Sequence, residues 1–125
     1  AYNPRQQTLQ YAGAHSPLLL VRDGQLQQLK ADRQPIGIYR KEKSFSNQFL
    51  QLQAGDTLYL FSDGFADQLK HDLSGKLKRK HFYELLLAKH HLPLDEQKVA
   101  FDTFFETFRG KAQQVDDVLL MGLKL

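Results

Sequence analysis

Two acidic sites in this chain could do chemistry, because each adjoins a strongly apolar segment. Asp63, with Gly64, follows TLYLF at Thr57–Phe61; Asp116 and Asp117 precede VLLMGLKL. If the two apolar segments are adjacent antiparallel strands, the exit of one and the entrance of the other share a sheet edge, and the acids meet there. Like charges brought together in a partly buried cleft repel, and their pKa values rise unless a cation compensates. A divalent ion would resolve that conflict, and hard oxygen ligands suit Mg2+ or Mn2+ with waters completing an octahedron. Gly64 allows a sharp backbone turn behind Asp63, clearing space for a solvated ion. The same residues also read as local punctuation: Asp63 capping the short segment Gly64–Gln68, and Asp116-Asp117 forming a turn.

The elements that must position these acids follow from periodicity. Asp23-Gly24, between SPLLLVR and QLQQLK, is a two-residue hairpin signal. Pro35 and Gly37 mark a turn or kink. FSNQFLQLQ alternates in part, at Phe49 or Leu50 and at Leu52, and Ala54-Gly55-Asp56 turns it into the next strand. Thr57–Phe61 is apolar or β-branched on both faces, as expected of a central strand covered on both sides. HDLSGKLKRK is polar enough for a surface loop. From about Lys80 the period changes: Phe82, Leu85, Leu86 and Lys89 mark one helix, and Phe101, Phe104, Phe105 and Phe108 a second. Pro93, Asp95 and Glu96 suit the first turn of that second helix, and Gly110 its C-terminal cap. The phenylalanine stripe reads as core packing. A final strand is expected to begin at Asp116 and Asp117. Strands, two helices and a strand make the fold class α+β.

The bulk numbers limit the partners. At 125 residues the chain fits one domain or a piece of one. The formal charge of +3 comes mostly from Lys76, Lys78, Arg79 and Lys80, which read as a solvated face and not as a nucleic-acid site. Without cysteine there is no disulfide, thiolate metal site or cysteine nucleophile, which suits a reducing, cytoplasmic compartment. No apolar run approaches the ~20 residues needed to cross a bilayer, so no membrane contact is expected of this segment. The start at Ala1, in a segment already reading as strand, suggests a piece excised from a longer chain.

Taken in order, LQYAGAHSPLLLVRDGQL, QPIGIY, AGDTLYLFSDGFADQ and QVDDVLLMGLKL closely resemble the C-terminal half of SpoIIE-like domains of the metal-dependent (PPM) serine/threonine phosphatase family. The resemblance covers essentially all of residues 1–125. It implies antiparallel β-sheets packed with helices, as a partial, truncated PPM β-sandwich. It also implies that Asp63 and Asp116 are metal ligands, with Gly64 and Asp117 beside them and Asp67 available to orient a metal-bound water or to start a helical turn. The family uses two Mn2+ or Mg2+ ions to activate a water that attacks a phosphoserine or phosphothreonine ester. The implied substrate is a phosphorylated protein in bacterial signalling, an anti-sigma-factor antagonist being one candidate, and sensor domains or a membrane tether can lie elsewhere in such proteins. The family's upstream half supplies a bridging aspartate and an Asp-Gly carbonyl that nothing here matches. The isolated chain is therefore expected to bind metal poorly and turn over little, and exposed strand edges would favour self-association.

Other residues carry less. His15, in AGAHSP, reads as a locally packed or hydrogen-bonded loop histidine. His81, His90 and His91 lack the i, i+4 pairing of a zinc site. Ser62 precedes an acid outside any Gly-x-Ser-x-Gly elbow, which argues against a nucleophile. A receiver-type phosphoacceptor needs β/α alternation that the first half lacks. The remaining alternative is a non-catalytic protein-interaction module, for which Asp63 and Asp116 would be dispensable.

Overall fold

Leucines in Leu18–Arg22 (β3) alternate between two cores, and this alternation organises the molecule. Leu19 and Val21 join one apolar cluster, while Leu18 and Leu20 join another. A strand that buries both faces reads as a continuous apolar run, and that is what this segment shows. The computed structural model describes every residue except Tyr39 and Glu42. Tyr39, the last residue of the Gln34–Tyr39 motif, thus lies outside the described residues.

β3 pairs with Gln25–Leu29 (β4) through the expected hairpin, where Asp23 and Gly24 take the positive φ values of 50° and 71° that its two-residue turn requires. On its other side β3 pairs with Thr57–Phe61 (β6), which pairs in turn with Leu120–Lys124 (β7). The order of this four-stranded antiparallel sheet is β4-β3-β6-β7. A smaller antiparallel sheet joins Tyr2–Asn3 (β1), Thr8–Tyr11 (β2) and Gln48–Gln51 (β5). Leu9, Leu50 and Leu52 of that second layer pack against Leu18, Leu20 and Leu58. Of the two options in the alternating segment, Leu50 therefore faces the core and Phe49 is exposed.

Three helices cover the opposite face: Gly64–Asp67 (α1), Lys78–Lys89 (α2) and Leu94–Arg109 (α3). Phe101 and Phe105 of the stripe are buried with Tyr59, Phe61, Phe65, Phe82 and Leu86, and Phe104 and Phe108 pack against that cluster. Tyr59 also fixes α3 by donating to Gln97 Oε1 at 2.7 Å, while Gln97 Nε2 donates to the carbonyls of His90 and Leu92. Burial pushes the Tyr59 hydroxyl up to about 12 against the opposing Gln97 hydrogen bond. The architecture is α+β, two antiparallel sheets with helices on one side.

Three boundaries and one burial differ from expectation. β7 begins at Leu120, so Asp116 and Asp117 sit in the preceding loop. α2 begins at Lys78 and takes in most of the lysine run that reads as loop, with Leu77 buried just before it. Pro93 is the N-cap of α3 and lies outside its first turn. β6 is central, yet Leu60 is 40% exposed, and Met121 and Leu123 on the same face are 56% and 42% exposed. The three-stranded sheet leaves that part of the larger sheet uncovered.

Candidate functional site

β6 is fixed at its start and open at its end. Just before it, Asp56 is almost fully buried and accepts from Arg22 Nε at 2.8 Å and Arg22 Nη2 at 2.6 Å, and from the Gln53 N–H at 2.8 Å. These bonds, the Arg22 side chain foremost, hold the Asp56 carboxyl below its ordinary range against the cost of burial.

At the other end, Ser62 joins β6 to the loop that carries the acidic pair. Its hydroxyl donates to the Asp117 carbonyl at 2.8 Å and accepts the Leu119 N–H at 2.9 Å, and its own N–H donates to the Leu119 carbonyl at 3.0 Å. Gly64 completes the contact. A Cβ there would lie 2.2 Å from the Asp117 carbonyl oxygen and 3.2 Å from that of Asp116. The glycine is needed for close backbone approach. It is not among the residues with positive φ, which corrects the expectation of a sharp turn behind Asp63.

The antiparallel pairing of β6 with β7, in register Phe61 opposite Leu120, thus brings Asp63 and the Asp116-Asp117 backbone to one end of the sheet. Asp63 occupies the N-cap position of α1 but makes no side-chain capping hydrogen bond. Its carboxylate instead accepts from Arg79 Nη2 at 2.5 Å, with the two side chains 53% and 45% exposed. That hydrogen bond raises the Arg79 pKa further, so the guanidinium is a permanent cation here. Asp116 Oδ1 accepts the N–H of Asp117 at 2.8 Å, a turn-like contact. Asp67, the last residue of α1, pairs with Lys76 at 3.1 Å. Among the described residues no group of three or more Asp, Glu, His or Cys is placed to hold a metal ion. The carboxylates of Asp63 and Asp116 suit a hard divalent ion in kind, and in number they are part of a ligand set.

Two contributors escape sequence reasoning. Arg79 reads as one charge in a solvated run, yet it faces Asp63 sixteen positions away. The hint is that it is the one arginine among lysines, and arginine favours fixed carboxylate partners. Ser62 reads as a failed nucleophile, whereas its role is to position the acidic loop. His15 is exposed, with its N–H donating to the Asp32 carbonyl at 2.9 Å, and it lines a cleft with Asp63 and Arg79. His81 Nδ1 lies 2.8 Å from the Leu77 carbonyl one turn back along α2, and His90 and His91 stack edge to face.

The profile of stage II sporulation protein E (SpoIIE) matches residues 1–125. The chain belongs to the SpoIIE family. The fold is similar to the SiaA-PP2C domain of Pseudomonas aeruginosa, with a TM-score of 0.85 and 30% identity over 97% of this chain and 47% of that one. It is also similar to the Mn-presoaked phosphatase domain of the cell fate determinant SpoIIE from Bacillus subtilis, with a TM-score of 0.67 and 18% identity over 100% and 54% of the two chains. A serine/threonine phosphatase of S. agalactiae matches with a TM-score of 0.55 and 18% identity over 94% and 54%. The chain therefore spans about half the length of these solved structures. A search of curated proteins finds no match. No helix among the described residues is long and apolar enough to cross a membrane.

Proposed function

We propose that this SpoIIE-family chain is the C-terminal part of a metal-dependent protein phosphatase domain that hydrolyses phosphoserine or phosphothreonine esters in bacterial signalling. The observation that carries the reading is the convergence of Asp63 with the Asp116-Asp117 loop, held by Ser62 and Gly64 at one end of β6 and β7. Asp63 and Asp116 would hold Mn2+ or Mg2+, with Asp117 and Asp67 around them, and in the complete domain such ions would supply Lewis-acid activation of a water and compensation for phosphoryl charge. This chain's own part is positional. Ser62 fixes the loop carrying Asp116, Gly64 lets the loop close on Asp63, and Arg79 keeps the Asp63 charge compensated. With two candidate carboxylates and no group of three among the described residues, the isolated chain would bind metal weakly and turn over little.

The substrate would be a phosphorylated protein, such as an anti-sigma-factor antagonist, in the cytoplasm or beneath a membrane tether carried by another domain. The test is Mn2+ titration by calorimetry and phosphate release from a phosphoserine peptide, on the full-length protein and its Asp63→Asn and Asp116→Asn variants. Each substitution should remove both signals. Unchanged hydrolysis in Asp63→Asn would end the reading.

A second reading, a protein-interaction module, draws on the exposed row Leu60, Met121 and Leu123. Apolar patches of this kind mark contact surfaces. In the isolated chain the row and the open strand edges would drive self-association. Light scattering at micromolar concentration should then give a mass above that of the monomer, and a monomeric mass would remove the proposal.

A further inference from the structure

The described molecule holds a cleft of about 470 Å3 beside Asp63, and cations dominate its lining. His15, Lys30, Arg33 and Arg79 border it, and Asp63 is its one acid. Asp63 is already paired with Arg79, and among the described residues neither Lys30 nor Arg33 has a carboxylate partner. Three permanent cations against one anion leave the cleft with a surplus of two positive charges before His15 is counted. An unbalanced cationic concavity of this size, within the range of ligand pockets, concentrates anions.

The loop that presents these cations is anchored from behind. The Asp32 carboxylate faces away, accepting from the Ser46 N–H at 2.7 Å and from Ser46 Oγ at 3.0 Å. Gln34 is tied at both ends of its amide to the Lys43 backbone, donating to the carbonyl at 2.6 Å and accepting the N–H at 3.1 Å. With Asp32 and Gln34 committed, Arg33 between them is left to the cleft. A second loop is laced to this one by the Asp32 N–H on the Gly13 carbonyl at 2.8 Å and the His15 N–H on the Asp32 carbonyl. His15 itself sits at φ 59°, a left-handed conformation unusual for a non-glycine residue, which these backbone bonds sustain.

We infer that the cleft bordered by His15, Lys30, Arg33 and Arg79 binds the phosphorylated segment of the protein substrate, with Lys30 and Arg33 as specificity-determining cations. The inference rests on the phosphatase reading above. A phosphoserine carries about −1.5 to −2 charges and three acceptor oxygens, which the two-charge surplus and the forked guanidinium of Arg33 match. Arg79 adds to the match, because its exposed pair with Asp63 is of the weak kind that rearranges at little cost.

The test is fluorescence anisotropy on the full-length protein with a labelled acidic nonapeptide carrying a central phosphoserine, and with the same peptide unphosphorylated. Wild type should bind the phosphopeptide at least roughly tenfold more tightly, and more weakly as salt rises. Lys30→Gln with Arg33→Gln should remove that preference and raise KM with kcat little changed, while Arg33→Lys retains part of it. Both side chains are exposed, so the melting temperature should hold. If the double variant binds the phosphopeptide within twofold of wild type, or wild type shows no preference, the cleft is not the site. The parent reading fails separately, when Asp63→Asn leaves hydrolysis intact while the double variant still abolishes phosphopeptide binding.

Discussion

Gly64→Ala isolates the contact that brings the two acidic segments together. The added Cβ would meet the Asp117 carbonyl oxygen at 2.2 Å and its carbon at 2.8 Å, against an ordinary contact of 3.4–4 Å. Both neighbours are backbone, so no side chain can swing aside, and the loop must retreat by roughly 1 Å. Gly64 opens α1 without a positive φ, so alanine brings no torsional strain, and its helix propensity alone would gain about 1 kcal/mol. Overpacking of this kind costs about 1–3 kcal/mol. We expect a net loss of about 0–2 kcal/mol in urea unfolding, and hydrolysis reduced about 100-fold by a misplacement on the order of 1 Å.

The matching control is Gly75→Ala. A Cβ at Gly75 meets nothing within 4 Å, and its φ is not positive, so the variant should be as stable as wild type or slightly more so. Urea midpoints and phosphate-release rates of the two variants, measured on the full-length protein, decide the matter. A Gly64→Ala protein indistinguishable from Gly75→Ala in both would refute the close-approach argument and the geometry of the site built on it.

Two further perturbations test the ends of β6. Ser62→Ala leaves the Leu119 N–H and the Asp117 carbonyl without their hydroxyl partner, and should cost about 1–2 kcal/mol by urea unfolding while lowering both Mn2+ affinity and hydrolysis. Asp56→Ala removes the hydrogen bonds to Arg22 and to the Gln53 N–H but leaves a partly solvated arginine, and should cost about 1–3 kcal/mol. Because folding lowers the Asp56 pKa, its contribution is fully present above the unfolded value near 3.8 and is lost as pH falls through the lowered folded value. Acid unfolding of wild type and Asp56→Asn should therefore converge below that window, and parallel curves would exclude Asp56 as the source.

Local signals with one physical solution were legible in the sequence. Asp23-Gly24 could only be a tight hairpin, because few other pairs accept two positive φ values, and the Phe101–Phe108 stripe could only be one buried helix face. The run Thr57–Phe61 marked itself as central by being apolar on both faces. The pairing of β6 with β7, which the meeting of Asp63 and Asp116 requires, followed from assuming neighbouring antiparallel strands, and the sheet order bears it out. What stayed hidden depends on tertiary context. The start of β7 moved to Leu120 because Ser62 bonds to Asp117 and Leu119 and turns the preceding residues into a loop. The role of Gly64 was misread because a close approach looks the same in sequence as a turn. Arg79 vanished into a lysine run, since no spacing rule links a residue on α2 to an acid sixteen positions earlier.

The two ends of β6 show why an arginine on Asp63 does not compete with a role in binding. Asp56 and Arg22 form a pair with several fixed bonds around a buried carboxylate, and losing Arg22 would strand the Asp56 charge away from water. Asp63 and Arg79 are each about half exposed, and such pairs contribute about 0–1 kcal/mol, because solvent takes over either partner when they separate. One strand thus carries an acid that is committed to the fold and another that is only lightly held. The counter-charge for the Asp63 carboxylate is supplied in this chain by Arg79, a cation on a flexible stem at the start of α2. On the reading proposed above, Asp63 would pass from Arg79 to a metal ion at small cost, and Arg79, once released, would stay beside the cleft that it lines.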